Sequence, residues 1–379
     1  MKITDVKTSF LQIPLPGAGV KASYLTPWAG ETTRTSPYTL VKIFTDEGIT
    51  GIGGQVPGYG IELKTMIDEV VKPFLLNEIV DPFFIGRFSE MVRWWRHRIG
   101  PRACCVEVAL WDIVGKAANQ PIYKLFGARQ DRVKVYASTI EVKTPEERAK
   151  DAVTWLENGF QEIKLKLNNP APEKDLEVVR TVRDAVGDEM EIICDAFQAW
   201  RTTPPFWSLR RAKQMAKELE KMEVAWLEEP LGRNDLDGLS ELASGVDIPI
   251  AGGEIEFGLR RFKELMDRGC YDIVQPCATW AGGLQETRKI ATIAEAANKR
   301  CIPCCWGVGL TLPTDLQLIG SIPCDHVEFG YDPPSYTPEF RDCILKEPLL
   351  PRGGYIEIPR GPGLGVELNE EMVAKFCVA

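Results

Sequence analysis

Histidine is nearly absent: the 379-residue chain has two, His97 and His326. Proton transfer near neutral pH therefore falls mostly to other side chains, since only histidine ordinarily titrates there. Long apolar runs are missing as well. None approaches the roughly 20 residues that cross a bilayer, and the opening MKITDVKTSF has no apolar core of signal-peptide length. A soluble, cytoplasmic protein is expected. Basic charge is short: 45 Lys and Arg against 54 Asp and Glu leave a net charge of −9. That balance argues against nucleic acid or an anionic membrane as partner. The 11 cysteines are an odd number scattered through apolar runs of a long chain, which does not suit a disulfide framework. No Cys-x-x-Cys pair is followed by another at zinc spacing. Cys301 and Cys304, with Cys305 beside them, lie along a predicted strand. Most of the cysteines are expected to be small buried hydrophobes.

What remains is ordinary globular composition, 44% hydrophobic and 26% charged, in a chain long enough for two domains or a barrel plus an extension. Residues 1–130 read as an α+β unit. An opening strand leads to a polar, Gly-, Pro- and aromatic-bearing stretch, then a hairpin turning at Asp46-Glu47-Gly48, then three amphipathic helices. From residue 131 the pattern becomes βα. Strand signals fall at 133–138, 162–167, 191–196, 224–230, 248–254, 271–277, 299–306 and 325–330. One intervening helix carries Leu176, Val179, Val182 and Val186 on one face and stops at Gly187. Four successive runs end in charge, at Lys166, Asp195, Glu228 and Glu254. Apolar runs that turn charged at their last residue look like buried parallel strands opening into a site. The expected fold is α/β: a (β/α)8-type barrel over 131–345, possibly modified to (β/α)7β, with chemistry at its C-terminal rim. The irregular segment 346–379 is expected to return to the capping unit.

Within this order sit the run ALWDIVGKAANQPIYKLFGA, the Lys164-x-Lys166 pair on the second strand, carboxylates ending strands three to five, and Gly282-Gly283 after the sixth. Together they resemble the enolase superfamily, mandelate racemase/muconate lactonizing branch, over nearly the whole chain. The resemblance implies an N-terminal α+β capping domain over the barrel (lid loops about 16–37 and 52–60), one Mg2+, and proton abstraction alpha to a carboxylate through an enediolate. A small carboxylic acid is the implied substrate, and a homo-oligomer, dimer or octamer, the implied assembly. Asp195, Glu228 and Glu254 are the implied metal ligands; three carboxylates at neighbouring strand ends suit Mg2+. Glu229 should point away by strand alternation. Lys164 and Lys166, two apart, face the interior together, where beside Mg2+ they should depress one another's pKa and let one serve as a neutral base. By analogy Lys166 is the acid/base and Lys164 a partner to the substrate carboxylate. Glu328, ending strand eight, matches an electrophilic acid of racemase relatives.

The departures matter as much. Mandelate-racemase-like members pair a His on strand seven with an Asp on strand six; Cys304 and Cys277 stand there instead. Either the thiols fill space and Lys166 works alone, or a low-pKa thiol completes a two-base pair. Phe197 replaces an Asn common in relatives, which puts a hydrogen bond to a substrate hydroxyl in doubt. The longer Asp195–Glu228 interval suggests an insertion at 202–207. Lys21, Tyr24, Trp28 and Tyr59 on the lid, with Trp280 and Trp306 on barrel loops, are candidate substrate contacts. The leading expectation is dehydration of a hydroxy acid such as a sugar acid, with Lys166 as base. The alternatives are a racemase or epimerase of a hydroxy acid or amino-acid derivative using Lys166 and Cys304, and a non-catalytic metal-binding barrel.

Overall fold

The computed structural model describes residues 1–16, 35–55, 61–94, 103–167, 169, 171–201, 204 and 206–379. Lys21, Tyr24, Trp28 and Tyr59, and most of both expected lid loops, lie outside these residues.

Strands β1 (Ile3–Pro14), β2 (Thr35–Thr45) and β3 (Thr50–Gln55) form an antiparallel sheet in that order. The apolar helix Cys104–Ala117 lies directly on β3. A Cβ at Gly53 would sit 1.9 Å from the Cys105 carbonyl oxygen, so only glycine permits the approach. On this helix the buried Asp112 accepts hydrogen bonds from Ile52 N at 2.9 Å and Leu364 N at 2.8 Å. One carboxylate thereby ties the capping sheet to the chain's last segment.

Eight parallel strands follow: β4 (Arg132–Ser138), β5 (Glu162–Lys166), β6 (Glu191–Asp195), β7 (Leu227–Glu228), β8 (Ile250–Gly252), β9 (Ile273–Val274), β10 (Arg300–Cys301) and β11 (His326–Gly330). Their pairing order is β10-β9-β8-β7-β6-β5-β4-β11. Side-chain contacts bridge the two ends of that order, with Arg300 3.1 Å from His326 Nδ1 and the Cys305 N–H donating to Glu328 Oε2 at 3.2 Å. This is the predicted α/β barrel. Among the described residues, helices occupy the seven connections from β4 to β11, the (β/α)7β form. Helix Pro172–Val186 ends at Gly187 and buries Val179, Val182 and Val186 as its period requires.

Several strands are shorter than their apolar runs. β7 keeps two residues of 224–230, and β9 two of 271–277. Single backbone bonds such as Gln275 N to Gly252 O (2.9 Å) carry the register onward before the chain turns into loops. Beyond β11, strand β12 (Tyr355–Glu357) pairs antiparallel with β4, and the C-terminus reaches β1, where Val378 N donates to Phe10 O at 2.9 Å. No helix among the described residues is long and apolar enough to cross a membrane.

Alternation along β4, β5 and β11 sends Lys134, Glu162 and His326 inward at the strand starts. Glu162, fully buried, accepts from Lys134 Nζ at 2.5 Å and His326 Nε2 at 2.9 Å; His326 Nδ1 also meets Asp325 at 2.6 Å. Burial alone would push the imidazole pKa down, but the hydrogen bonds to Asp325 and Glu162 outweigh it and raise it from 6.5 to about 9. A raised folded pKa gives stability that is fully present below the unfolded value and lost as pH climbs through the folded one. Urea unfolding of the wild type should therefore lose on the order of 3 kcal/mol between pH 6.5 and 9.5, at about 1.4 kcal/mol per unit. His326→Gln should flatten that window, and an equal loss in both proteins would remove His326 as its source.

The two domains meet at Gly283. Glu107, on the capping helix, accepts from Leu284 N at 2.9 Å and Gln285 N at 3.0 Å, capping barrel helix Leu284–Ala296. Gly283 holds φ +93, and a Cβ there would lie 2.5 Å from Glu107 Oε2. Gly283→Ala should cost on the order of 2 kcal/mol from clash and backbone strain. Made in a Glu107→Ala background it should cost clearly less; a fully additive pair in urea titrations would show that the cap does not set this position.

Candidate active site

The C-terminal ends of β5, β6 and β7 stand side by side: Lys166 is in register with Asp195, and Asp195 with Glu228. Glu254 comes two residues after β8. Lys166 Nζ makes a short ion pair with Asp195 Oδ2. Lys164 Nζ lies 2.9 Å from Glu228 Oε1, 2.6 Å from Glu328 Oε1 and 3.8 Å from Asp195 Oδ2. The structure thus gathers Lys164, Lys166, Asp195, Glu228 and Glu328 by direct contact. Glu254 joins them through the field it shares with Lys166, and the Trp200 indole N–H donates to it at 3.1 Å.

Four carboxylates face two ammonium groups here, leaving two uncompensated negative charges in a buried pocket. The strain appears in the carboxyls. Burial pushes Glu228 up to about 7 against the pull of Lys164, and burial raises Glu254 as well. Glu328 goes the other way, to about 2: burial opposes ionisation, but Lys164, Lys166 and the Ser138 hydroxyl overcome it. Ser138 Oγ donates to Glu328 at 2.7 Å, so with Lys164 and the Cys305 N–H this group accepts three hydrogen bonds and stays a carboxylate.

The expected lowering of Lys166 by Lys164 is present, but it is not the largest effect. Burial lowers both, and Lys164 lowers Lys166, yet the surrounding carboxylates win and hold both lysines above their ordinary value. Lys164 is engaged with Glu228 and Glu328.

Glu229 points away from the cluster. It is buried, its Oε1 accepts from Gly253 N at 3.0 Å, and its Oε2 has no partner. Cys277 and Cys304 are both buried. Burial, a hydrogen bond with Cys277 and the charges of Glu254 and Glu328 push the Cys304 thiol well above its usual value. Cys277 Sγ lies 3.3 Å from the Thr279 hydroxyl. The surrounding protein groups thus raise this thiol rather than lower it.

Phe197 and Trp306 are wall residues. Lys166 Nζ sits 4.7 Å from the Phe197 ring centre and 5.8 Å from that of Trp306. Trp306 stacks on Tyr336 at 4.4 Å. Trp280 binds the Ile255 carbonyl at 3.2 Å and makes no described contact with the lysines. Of the 202–207 insertion, residues 202, 203 and 205 lie outside the described set, and Phe206 is exposed.

Three contributors escaped the sequence. Gln275 donates to Glu228 Oε2 at 2.8 Å, Ser138 holds Glu328, and Trp200 holds Glu254. Strand alternation would have found Gln275, two residues before Cys277, and Ser138, the last residue of β4; Trp200 lies on a loop and had no such signal.

Asp195 and Glu228 end adjacent strands and Glu254 follows the next, and acidic oxygens of this kind are the donors Mg2+ prefers. A different group, Glu162, Glu191 and His326, also brings possible ligand atoms within 4.8 Å of one another. It lies at the strand starts, the opposite end of the barrel, where Lys134 and the protonated His326 already neutralise Glu162.

The fold and this rim define a barrel enzyme of the enolase type. Residues 147–372 match the enolase C-terminal domain-like family, and residues 23–127 match the mandelate racemase/muconate lactonizing enzyme N-terminal domain. The chain belongs to the enolase superfamily, in its mandelate racemase/muconate lactonizing branch. It is 28% identical to an arabinonate dehydratase of Saccharolobus solfataricus, over 88% of this chain and 89% of that one. It is 30% identical to an L-talarate/galactarate dehydratase of Salmonella typhimurium, over 98% and 90%. A Streptomyces coelicolor racemase solved with bound magnesium superposes with a TM-score of 0.86, at 26% identity over 99% of this chain and 100% of that one.

A raised thiol is a slow nucleophile, because the thiolate is the reactive form. At pH 7.5 iodoacetamide should label the exposed Cys377 and leave Cys304 unmodified in the native protein, as read by peptide mass mapping. Labelling of Cys304 at the rate of Cys377 would refute the neutral-thiol assignment.

Proposed function

We propose that Lys166 removes the proton alpha to the carboxylate of a small hydroxy acid, and that loss of water from the neighbouring carbon follows. Asp195, Glu228 and Glu254 would hold one Mg2+. When bound, that ion supplies Lewis-acid stabilisation, worth several kcal/mol, for the second negative charge on the substrate carboxylate. The bound magnesium of the Streptomyces coelicolor relative supports this choice of ion.

What supports the reading is one interior amine, Lys166, paired with Asp195, while burial and the charges of Glu254 and Glu328 push the Cys304 thiol up. A single acid/base can complete an elimination. Lys166 takes the alpha proton as the C–H bond breaks, and the same ammonium returns a proton to the departing hydroxyl, so that a C=C bond and water result. Its neighbours position it. Asp195 fixes the ammonium end, and Phe197 and Trp306 exclude water from its stem side. Lys164, bound between Glu228 and Glu328, keeps those acids from repelling one another.

Racemisation, the second reading, needs a base on each face. Cys304 is the candidate for the second base, but a thiol pushed up by burial and by two nearby carboxylates is a poor one. The dehydratases among the relatives favour elimination, and their named substrates remain properties of those proteins.

The reading predicts a one-sided outcome in D2O with Mg2+. Acids of one configuration at the alpha carbon should exchange or dehydrate, their mirror images should stay inert by proton NMR, and Lys166→Ala should lower the rate by about 10²–10⁴-fold. Exchange into both enantiomers would move the assignment to a two-base racemase.

A further inference from the structure

Helix Pro82–Trp94 of the capping domain spends one face on the fold and turns the other to solvent. Phe84, Ile85, Phe88 and Val92 are buried in the core. On the opposite stripe Phe83, Arg87, Glu90 and Trp94 are all exposed, Phe83 to 75% and Trp94 to 80%. Their spacings of four, three and four residues keep them within a narrow arc of an α-helix, about 16 Å from end to end. Two large rings left this open contribute nothing to the domain's own core and mark an interaction surface. The apolar surface continues past the helix. Phe74 is 43% exposed, and with Phe83, Arg87 and, from the barrel, Lys289 it lines a groove of about 750 Å3.

The stripe is its own complement. In either direction it runs aromatic, charge, charge, aromatic with the same spacing, and its two charges are opposite. A two-fold axis passing between Phe88 and Ser89 would set Phe83 against the partner's Trp94 and Arg87 against the partner's Glu90. Parallel docking of two such helices would instead put Arg87 on Arg87 and Glu90 on Glu90, and like charges across an interface repel. An unrelated partner would need this order by coincidence, whereas a second copy supplies it by symmetry, since a two-fold contact uses the same patch on both chains. We propose that helix Pro82–Trp94 pairs antiparallel with the same helix of a second copy of this chain. The rings at its two ends leave water on pairing, and the central charges fix direction and register. The surface is independent of the Lys166 chemistry.

Sedimentation velocity of the full chain across a concentration series tests this. Arg87→Glu and Glu90→Arg, both exposed substitutions, should each weaken self-association by about tenfold or more, because like charges then face one another across the axis. An equimolar mixture of the two variants should associate again to within about threefold of the wild type, since every charge then meets its opposite on the other chain. Mixing leaves the charges within each helix as they were, so recovery reports pairing between chains. A wild type that stays monomeric overturns the proposal. Single variants that assemble as the wild type does, or a mixture that stays dissociated, overturn it equally, and every one of these results leaves the Lys166 reading standing.

Discussion

Buried negative charge is the condition to which the rest of this molecule answers. Asp195, Glu228, Glu254 and Glu328 converge on a pocket that Lys164 and Lys166 neutralise only halfway. Ionised groups in a poorly hydrated interior repel strongly, and such a cluster survives only if each member has a partner or a cation. The lysines consequently sit locked and protonated, Glu228 is pushed towards neutrality, and Glu328 draws donors from Ser138 and from the backbone. The same deficit of two charges is what the proposed divalent ion would offset. A lysine held charged by its neighbours becomes available as a base only when that field is offset.

The surroundings keep this cluster in register. Parallel strands hold Lys166 beside Asp195 and Asp195 beside Glu228 with no freedom to slide, since a one-residue slip would turn every inward side chain outward. At the other end of the barrel, Glu162 with Lys134 and His326 closes the floor as a compensated network. The capping domain is fastened by two buried carboxylates of one helix. Glu107 caps a barrel helix, and Asp112 joins β3 to the final segment. A surface that covers a reacting centre must be anchored this firmly if its contacts with substrate are to repeat from one turnover to the next.

Much of this was legible in one dimension. The alternation of apolar strand signals with helical periods announced the barrel, and the charged residues ending four of those runs announced the rim. These are local patterns: strand and helix periods are written in neighbouring residues, and a charge that interrupts an apolar run can hardly be anything but its exposed or functional end. The departures at Phe197, Cys277 and Cys304 were equally readable, because they are identities at positions that the order of strands defines.

What each group does was not readable. The sequence alone determined that two lysines and four acids would meet at one end of a barrel. It was silent on which lysine each acid pairs with, for those pairs join residues 29 to 164 positions apart. Only the tertiary structure decided that nearby carboxylates would raise both lysines, that Lys164, Lys166 and Ser138 would lower Glu328, and that burial would raise the Cys304 thiol. Protonation follows from the depth of burial and the summed field of every nearby charge. Both quantities exist only once the strands have closed around them.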